Sequence, residues 1–468
     1  GNGREVITRG NSVKDASGAS GTAMLAGCNS NGSGGNGNGG NGNGNGGNGN
    51  GNGGDGGDAE SPVEWIGPAW SAYEEQGQMV QDVTGREINI TSATIPTVQQ
   101  RILGGENETI DVVSVDTAGS GALTIDNDVT ESVSLDDLDN WQEDTITDAL
   151  LNPSERLSHL GQQAETLSQQ LWEDEERTEL KFPPHVYNFD AIGYNPGFVD
   201  DVSLWSALFD DQYQGETIVG ETAAITIPEV MMHLLDTDQL DAEIGSLNNP
   251  TQDQMDAAID FLIEQSEAGQ FRTTWAAYGE SVGVMSGEEA VLGDIWQPAA
   301  MDVRRDGAPC IYATMDDGVQ GYRFWYGGIV PTSPGASNRG NLETVHNLID
   351  AHYGAHFPSF IQGYGYSTPH YENEELVRDG SDETGEGMGP EYYDWAYRGE
   401  ATYEPVDDPA MFDPQEYEWA DEEGEPDPDG SVRNSGPIEE RFDRTGFFQI
   451  WPDEADYMTD RWRDFLGA

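Results

Sequence analysis

Positively charged side chains are scarce in this chain: 20 Lys and Arg stand against 87 Asp and Glu, a formal net charge of −67. Only two of the cations are lysines, Lys14 and Lys181. Nucleic acid and anionic membrane surfaces are themselves negative, so both are poor partners for such a chain. Cysteine is nearly absent. Cys28 and Cys310 cannot make a disulfide framework, and Cys310, within Pro309-Cys310-Ile311-Tyr312, reads as a small buried hydrophobe in a strand. No run reaches the roughly 18 apolar residues that a membrane-spanning helix needs.

The acids are not confined to one tail. Beyond residue 60 they are interleaved with aromatic and patterned apolar residues, which argues for a folded chain rather than a disordered one. An acidic, lysine-poor surface reads as adaptation to molar salt, and the expected source is a halophilic archaeon. At 468 residues the chain exceeds one ordinary core, so two lobes are expected.

Residues 1–28 read as a divergent export signal ending in Leu25-Ala26-Gly27-Cys28, a lipobox-like site at which Cys28 is the expected point of lipidation. Arg4 and Arg9 supply some charge, but Lys14 and Asp15 interrupt its weak apolar core. Residues 29–60 are almost entirely Gly and Asn, which bury nothing against chain entropy and make a flexible tether. One lipid chain holds a protein to a membrane only marginally, so a stable anchor implies two.

From 63 onward the pattern alternates. Short apolar runs at 63–66, 88–90 and 112–115 read as strands, with helices over 72–83 and 96–103 between them. This rhythm favours an α/β sheet. Residues 126–179 read as acidic helices and loops, and the chain crosses between lobes over 181–194. An apolar helix is expected over 230–235, and 251–268 shows Met255, Ile259 and Leu262 at helical spacing. Residues 271–278 read as an aromatic loop, and 447–466 as a closing helix packed on the first lobe.

Residues 286–333 organise the rest. A short strand ends at Asp294-Ile295-Trp296, a helix of about 8 residues follows, and a strand over 309–314 leads to a loop carrying Tyr322, Phe324, Trp325 and Tyr326. A last strand spans 328–331. Trp296 and Trp325 thus fall at strand ends or loops, where α/β sheets present ligand-facing residues, although both also suit a core.

This stretch resembles the extracellular solute-binding proteins of ABC importers, in their spermidine/putrescine-type branch. The motifs that carry the resemblance are Ser286-Gly287-Glu288, Ala290 to Trp296, Gly307-Ala308-Pro309 with Tyr312, Asp317-Gly318, Phe324-Trp325-Tyr326-Gly327 and Ile329-Val330-Pro331. A second block agrees: Phe182-Pro183-Pro184-His185-Val186-Tyr187, Ile192-Gly193-Tyr194-Asn195, Trp205 with Leu208, and Tyr213-Gln214-Gly215-Glu216-Thr217-Ile218. The resemblance runs over roughly 62–465, in order.

It implies an α/β, two-lobed periplasmic-binding-protein-like fold of type II, with a ligand cleft between lobes joined by hinge strands. The implied division is a first lobe over 61–190, a second over 191–326, and a return to the first over 327–468 with an acidic insertion at about 379–436. It implies a small-molecule solute, most simply a polyamine-like organic cation, and ABC permease subunits as partners. No cofactor, metal or nucleic acid is implied, and the receptor is expected to be a monomer, lipid-anchored on the outer face of the cell membrane.

Candidate ligand residues carried over by position are Trp70, Asp116, Thr117, Glu229, Trp275, Tyr278, Asp294, Trp296, Trp325 and Tyr364. Two departures weaken the polyamine assignment. The family's carboxylates at the start of one helix fall near Pro228 and Met231, leaving Glu229 as the adjacent acid, and an acid two residues after Trp325 is replaced by Gly327. A sugar, an anion or ferric iron remains an alternative cargo, with Arg323 the one arginine beside the aromatic cluster.

Other chemistries have thinner support. Gly279-Glu280-Ser281-Val282-Gly283 matches the nucleophile-elbow pattern of an exported serine hydrolase, but that motif needs a strand before it and a helix after. His352 and His356 share helical spacing without a glutamate or a clear third zinc ligand. No phosphate-cradling glycine loop occurs, so ATP hydrolysis falls to another subunit. A self-assembling structural surface protein is a further alternative.

Overall fold

Among the described residues the chain forms two larger β-sheets, of six and five strands, flanked by helices, and two two-stranded ones. The structure, a computed structural model, describes residues 61–68, 74–117, 123, 128–141, 143, 146–354, 367, 369, 379–381, 385–386, 389–390 and 438–468. Residues 56–468 form one unit, to which all of these belong.

The first sheet begins with β1 (Val63–Gly67), α1 (Glu74–Thr84), β2 (Ile88–Ser92), α2 (Ile95–Leu103) and β3 (Val112–Asp116). β1 pairs in parallel with both β2 and β3, as helical crossovers require. Thr94 caps α2 by accepting from the Thr97 N–H, and Pro96 sits in its first turn, where no partner for a backbone N–H is needed. Gly85 ends α1 with φ +68°, a left-handed conformation that glycine adopts without strain.

After β4 (Val133–Ser134), α3 (Gln162–Leu171) and β5 (Glu179–Leu180), strand β6 (Pro184–Asp190) joins the first sheet with all seven residues buried. Two residues later β7 (Gly193–Tyr194) belongs to the second sheet. That sheet adds β8 (Thr217–Gly220), α4 (Ala223–Asp236), α5 (Gln252–Glu267), β9 (Phe271–Trp275), α6 (Tyr278–Ser286), β10 (Leu292–Gly293), α7 (Gln297–Arg305) and β11 (Ile311–Tyr312). Its strand order is β11-β7-β10-β8-β9. Thr251 and Gln254 form a capping box at the start of α5, which fixes that helix's origin.

The return strand is β12 (Tyr322–Pro331), ten buried residues that pair antiparallel with β6 over Arg323–Gly328 and with β3 over Gly327–Pro331. Helix α8 (Leu342–Ala351) follows, and β13 (Thr445–Phe448) pairs in parallel with the start of β12. The chain closes with α9 (Ala455–Leu466).

Several sequence expectations need correction. The aromatic cluster Tyr322 to Tyr326 is the first half of a long buried strand, not a loop, and β12 starts ahead of the return expected at 327. Residues 271–275 form strand β9 rather than an aromatic loop. The apolar helix expected over 230–235 starts at Ala223 and passes through Pro228. The closing helix packs on α5 at the second sheet, not on the first lobe. There Arg461 reaches Asp256 and Asp260 at 2.7 Å each, and the Tyr457 hydroxyl donates to Asp256 at 2.8 Å. The physical cause is its apolar stripe, Met458, Trp462 and Phe465, which meets Phe271 at the sheet edge, with ring centroids of Phe465 and Phe271 6.3 Å apart. The expected acidic insertion at 379–436 falls almost wholly outside the described residues.

Candidate ligand site at the junction of the sheets

The side chains that meet where the chain crosses between sheets are acidic and aromatic. Asp190 ends β6, just before the first crossing. One oxygen, Oδ2, accepts from Arg323 Nη2 at 2.6 Å and from Trp325 Nε1 at 2.7 Å. Tyr312, at the end of β11, places its hydroxyl 3.2 Å from Asp190 Oδ1 and 2.9 Å from the Ile295 carbonyl, while accepting from the Ala191 N–H at 2.7 Å. Both crossings are thereby tied to one carboxylate.

Asp294 follows β10 and is buried. Its Oδ2 accepts from the Gly220 N–H at 2.8 Å and its Oδ1 from Trp275 Nε1 at 2.9 Å. Gly220 leaves room for this approach: a Cβ there would stand 3.3 Å from the Trp275 ring, a tight contact, and 3.4 Å from Asp294 Oδ2. Thr226 Oγ1 lies 3.5 Å from the same oxygen. One helical turn later on α4 comes Glu229, fully buried, with Oε1 3.7 Å from Arg323 Nη1. No hydrogen bond reaches either Glu229 oxygen among the described residues, and the charges of Asp294 and Arg323 both act on its carboxyl.

Three carboxyls therefore surround one guanidinium away from water. Burial pushes the Asp294 carboxyl up from 3.8 to about 6, against the hydrogen bonds from Gly220 and Trp275 and the charge of Arg323. Burial, then the neighbouring Asp294 charge, pushes Glu229 well above the usual carboxylate range. Beside Asp294 the rings of Trp275 and Trp296 meet edge to face with centroids 5.5 Å apart, and Tyr278 lies 5.9 Å from Trp296. The Tyr278 hydroxyl donates to Asp302 at 2.6 Å. Trp296 and Tyr278 are the half-buried members of this group.

Six of the residues expected from sequence thus converge: Glu229, Trp275, Tyr278, Asp294 and Trp296 from the second sheet's side, and Trp325, through Asp190 and Arg323, from the first. Trp325 lies inside β12 rather than at its end, with 7% of its surface exposed and its indole N–H committed to Asp190. Asp116 and Thr117 close β3. Asp116 is opposite Gly327 in the ladder and accepts from Gln449 Nε2 at 2.5 Å, while the Gln449 N–H donates to the Phe324 carbonyl at 3.0 Å. Trp70, Tyr364 and Cys28 lie outside the described residues.

Asp190, Tyr312 and Gln449 were not among the candidates. Asp190 had a signal, a lone acid ending a run in which Val186, Tyr187 and Phe189 are large and apolar or aromatic, and a carboxylate buried there needs a partner.

The alternative chemistries lose their geometry. Ser281 lies buried inside α6, and its hydroxyl donates to the Tyr278 carbonyl at 2.8 Å, so the Gly-x-Ser-x-Gly pattern is helix and not a strand-to-helix elbow. His352 places Nδ1 2.7 Å from the Leu348 carbonyl, and burial lowers it to about 3; His356 is outside the described residues. Among the described residues no cluster of His, Cys, Asp or Glu is placed to hold a metal, and no helix is long and apolar enough to cross a membrane. Cys310 is buried, its thiol pushed up to about 12 by desolvation. A polar cavity of about 220 Å³ lies apart from the junction, at Glu64, Thr91, Arg101 and Arg339, where the two guanidiniums are already paired with Glu106 and Asp111.

No family model and no curated protein matches this sequence. Solved structures do match the fold. The substrate-binding protein PotD of a spermidine/putrescine ABC transporter from Streptococcus pneumoniae, crystallised with calcium and HEPES, aligns over 86% of this chain and 97% of its own at 14% identity, with a TM-score of 0.55. The TpPotD lipoprotein of Treponema pallidum aligns over 86% of this chain and 99% of its own at 9% identity, with a TM-score of 0.58. The chain has the α/β fold of the periplasmic binding proteins.

Proposed function

We propose that this chain is the substrate-binding receptor of an ABC importer and that its cargo is an organic cation. The observation that carries the reading is the charge balance at the junction: Asp190 and Glu229 face one guanidinium, whose charge also reaches Asp294 beside the Trp275–Trp296 pair. Aromatic faces and desolvated carboxylates together hold ammonium groups by cation–π attraction and charge. An anion is disfavoured, since Arg323 is held by Asp190 and faces Glu229. The name of the Streptococcus pneumoniae neighbour supports a polyamine as the first cargo to try.

In this reading the direct crossings at Asp190–Gly193 and Tyr312–Tyr322 are the hinges, and a ligand bridging the sheets draws them together. The closed form then meets membrane permease subunits outside the cell. Cys28 is the proposed lipid anchor and residues 29–60 the tether, with the receptor acting as a monomer. The test is thermal unfolding in molar KCl against polyamines, amino acids, sugars and ferric citrate. A ligand of the folded state alone adds about 2.7 kcal/mol at a hundredfold excess over Kd. A raised midpoint with a polyamine or another organic amine is expected; a shift confined to sugars, anions or ferric citrate overturns the cargo.

A further inference from the structure

We propose that Glu229 and Asp294 hold one proton between them in the ligand-free protein and surrender it when a cation enters, so that the receptor exchanges a proton for its cargo. This rests on the receptor reading above and adds a stoichiometry to it.

The argument starts from the charges that face Glu229 from every element around it: Arg323 on β12, Asp294 after β10 and Asp190 at the end of β6. With all three carboxyls ionised, three negative charges against one positive leave two uncompensated in a site closed to water. Asp190 takes the strong share of the guanidinium, at 2.6 Å, and Glu229 only a distant one, at 3.7 Å. Two carboxylates packed together away from solvent cannot both stay ionised. Glu229 is the member with neither oxygen hydrogen-bonded and no exposure, whereas Asp294 is held as an acceptor by the Gly220 and Trp275 N–H groups. Fixed donors favour the ionised form of Asp294, so the proton resides on Glu229. The raised carboxyl of Glu229 agrees with that placement.

A cation seated against the Trp275–Trp296 pair and Asp294 supplies the missing positive charge. The Glu229 O–H bond then breaks, its electron pair stays on the carboxylate, and the proton passes to solvent. Nothing is oxidised or reduced. Binding should therefore strengthen as pH rises, by up to about tenfold per pH unit, the limit for one proton lost per ligand bound.

Two measurements on the full chain in molar KCl test this. In the ligand-free protein labelled with 13C-glutamate, infrared spectra at pH 7.5 should contain the carbonyl stretch of a protonated carboxylic acid. Glu229 is the one fully buried glutamate among the described residues, so the band has a single source there. Absence of the band overturns the proposal without touching the receptor reading. The second is calorimetric titration with putrescine in buffers of different ionisation enthalpy. About one proton released per putrescine, lost in Glu229→Gln, is expected above pH 7, where Asp294 is already ionised. Binding without proton release overturns the exchange and leaves the receptor standing; a band present with no putrescine binding overturns both the exchange and the polyamine cargo.

Discussion

Nη1 of Arg323 stands 3.7 Å from Oε1 of Glu229, so a strand of the first sheet and a helix of the second bring a guanidinium and a carboxyl together inside the protein. Neither group is more than 1% exposed. Charges so far from water persist only where partners compensate them, and here the compensation comes from residues distributed over both crossings.

Removing the guanidinium should be costly. Arg323→Met leaves Asp190 buried with Trp325, Tyr312 and a long bond from the Gln297 N–H, but no cation, to satisfy it. The expected loss is about 3–5 kcal/mol, the range for breaking one partner out of a buried pair. Urea unfolding in molar KCl measures it, and a loss under about 1 kcal/mol would mean that water reaches the site.

Asp294 should make stability depend on pH. Its carboxyl is raised from 3.8 to about 6 in the folded chain. Between those values the folded state keeps a proton that the unfolded state has lost, so the contribution is complete below about pH 4 and disappears as pH climbs through 6. Two pH units are worth about 3 kcal/mol. The difference in unfolding free energy between Asp294→Asn and the parent should change by that order from pH 4 to 7, in favour of the variant at the higher pH. A constant difference would place Asp294 in contact with water.

Trp296 should matter more to binding than to folding. It is half-buried, and its indole is not a hydrogen-bond anchor for Asp294, as that of Trp275 is. Trp296→Ala is expected to weaken an organic cation by roughly tenfold, about 1.4 kcal/mol, within the usual cation–π range. Titration of variant and parent at matched salt decides it; equal affinities would remove Trp296 from the site.

Salt should stabilise the fold. A net charge of −67 on 468 residues repels itself, and screening contracts from about 10 Å at 0.1 M to about 3 Å at 1 M. The unfolding midpoint should climb across that interval in KCl. A flat response would mean that the surface acids are compensated locally.

Much of this was legible before any coordinates. Val112–Asp116 reads as a strand from its valines at 112, 113 and 115, and 251–268 reads as a helix from Met255, Ile259 and Leu262 at helical spacing. Glu229, Trp275, Asp294 and Trp296 could be proposed together because the resemblance to solute-binding proteins carries them over by position. What the sequence could not display is pairing over distance. Arg323 and Asp190 are 133 residues apart, and only the antiparallel register of β12 on β6 sets them opposite one another. The same register turned an expected aromatic loop into a strand interior, since Tyr322, Phe324 and Tyr326 alternate with Arg323 and Trp325 as a pleat demands. The closing helix was misplaced for a related reason: its apolar stripe is visible in the sequence, but its partner Phe271, far earlier in the chain, is not, and the Arg461 pairs with Asp256 and Asp260 add to that contact.

The central claim is that the junction of the two sheets receives an organic cation, and calorimetric titration of the full chain in molar KCl tests it most directly. Putrescine, spermidine and a tetraalkylammonium salt would be compared with glucose, glutamate and ferric citrate. The account predicts saturable binding of one organic cation per chain, with Kd of about 1 μM or tighter, some −8 kcal/mol, and none for the sugar or the anions. Saturable binding of a sugar or an anion with no cation bound would contradict it.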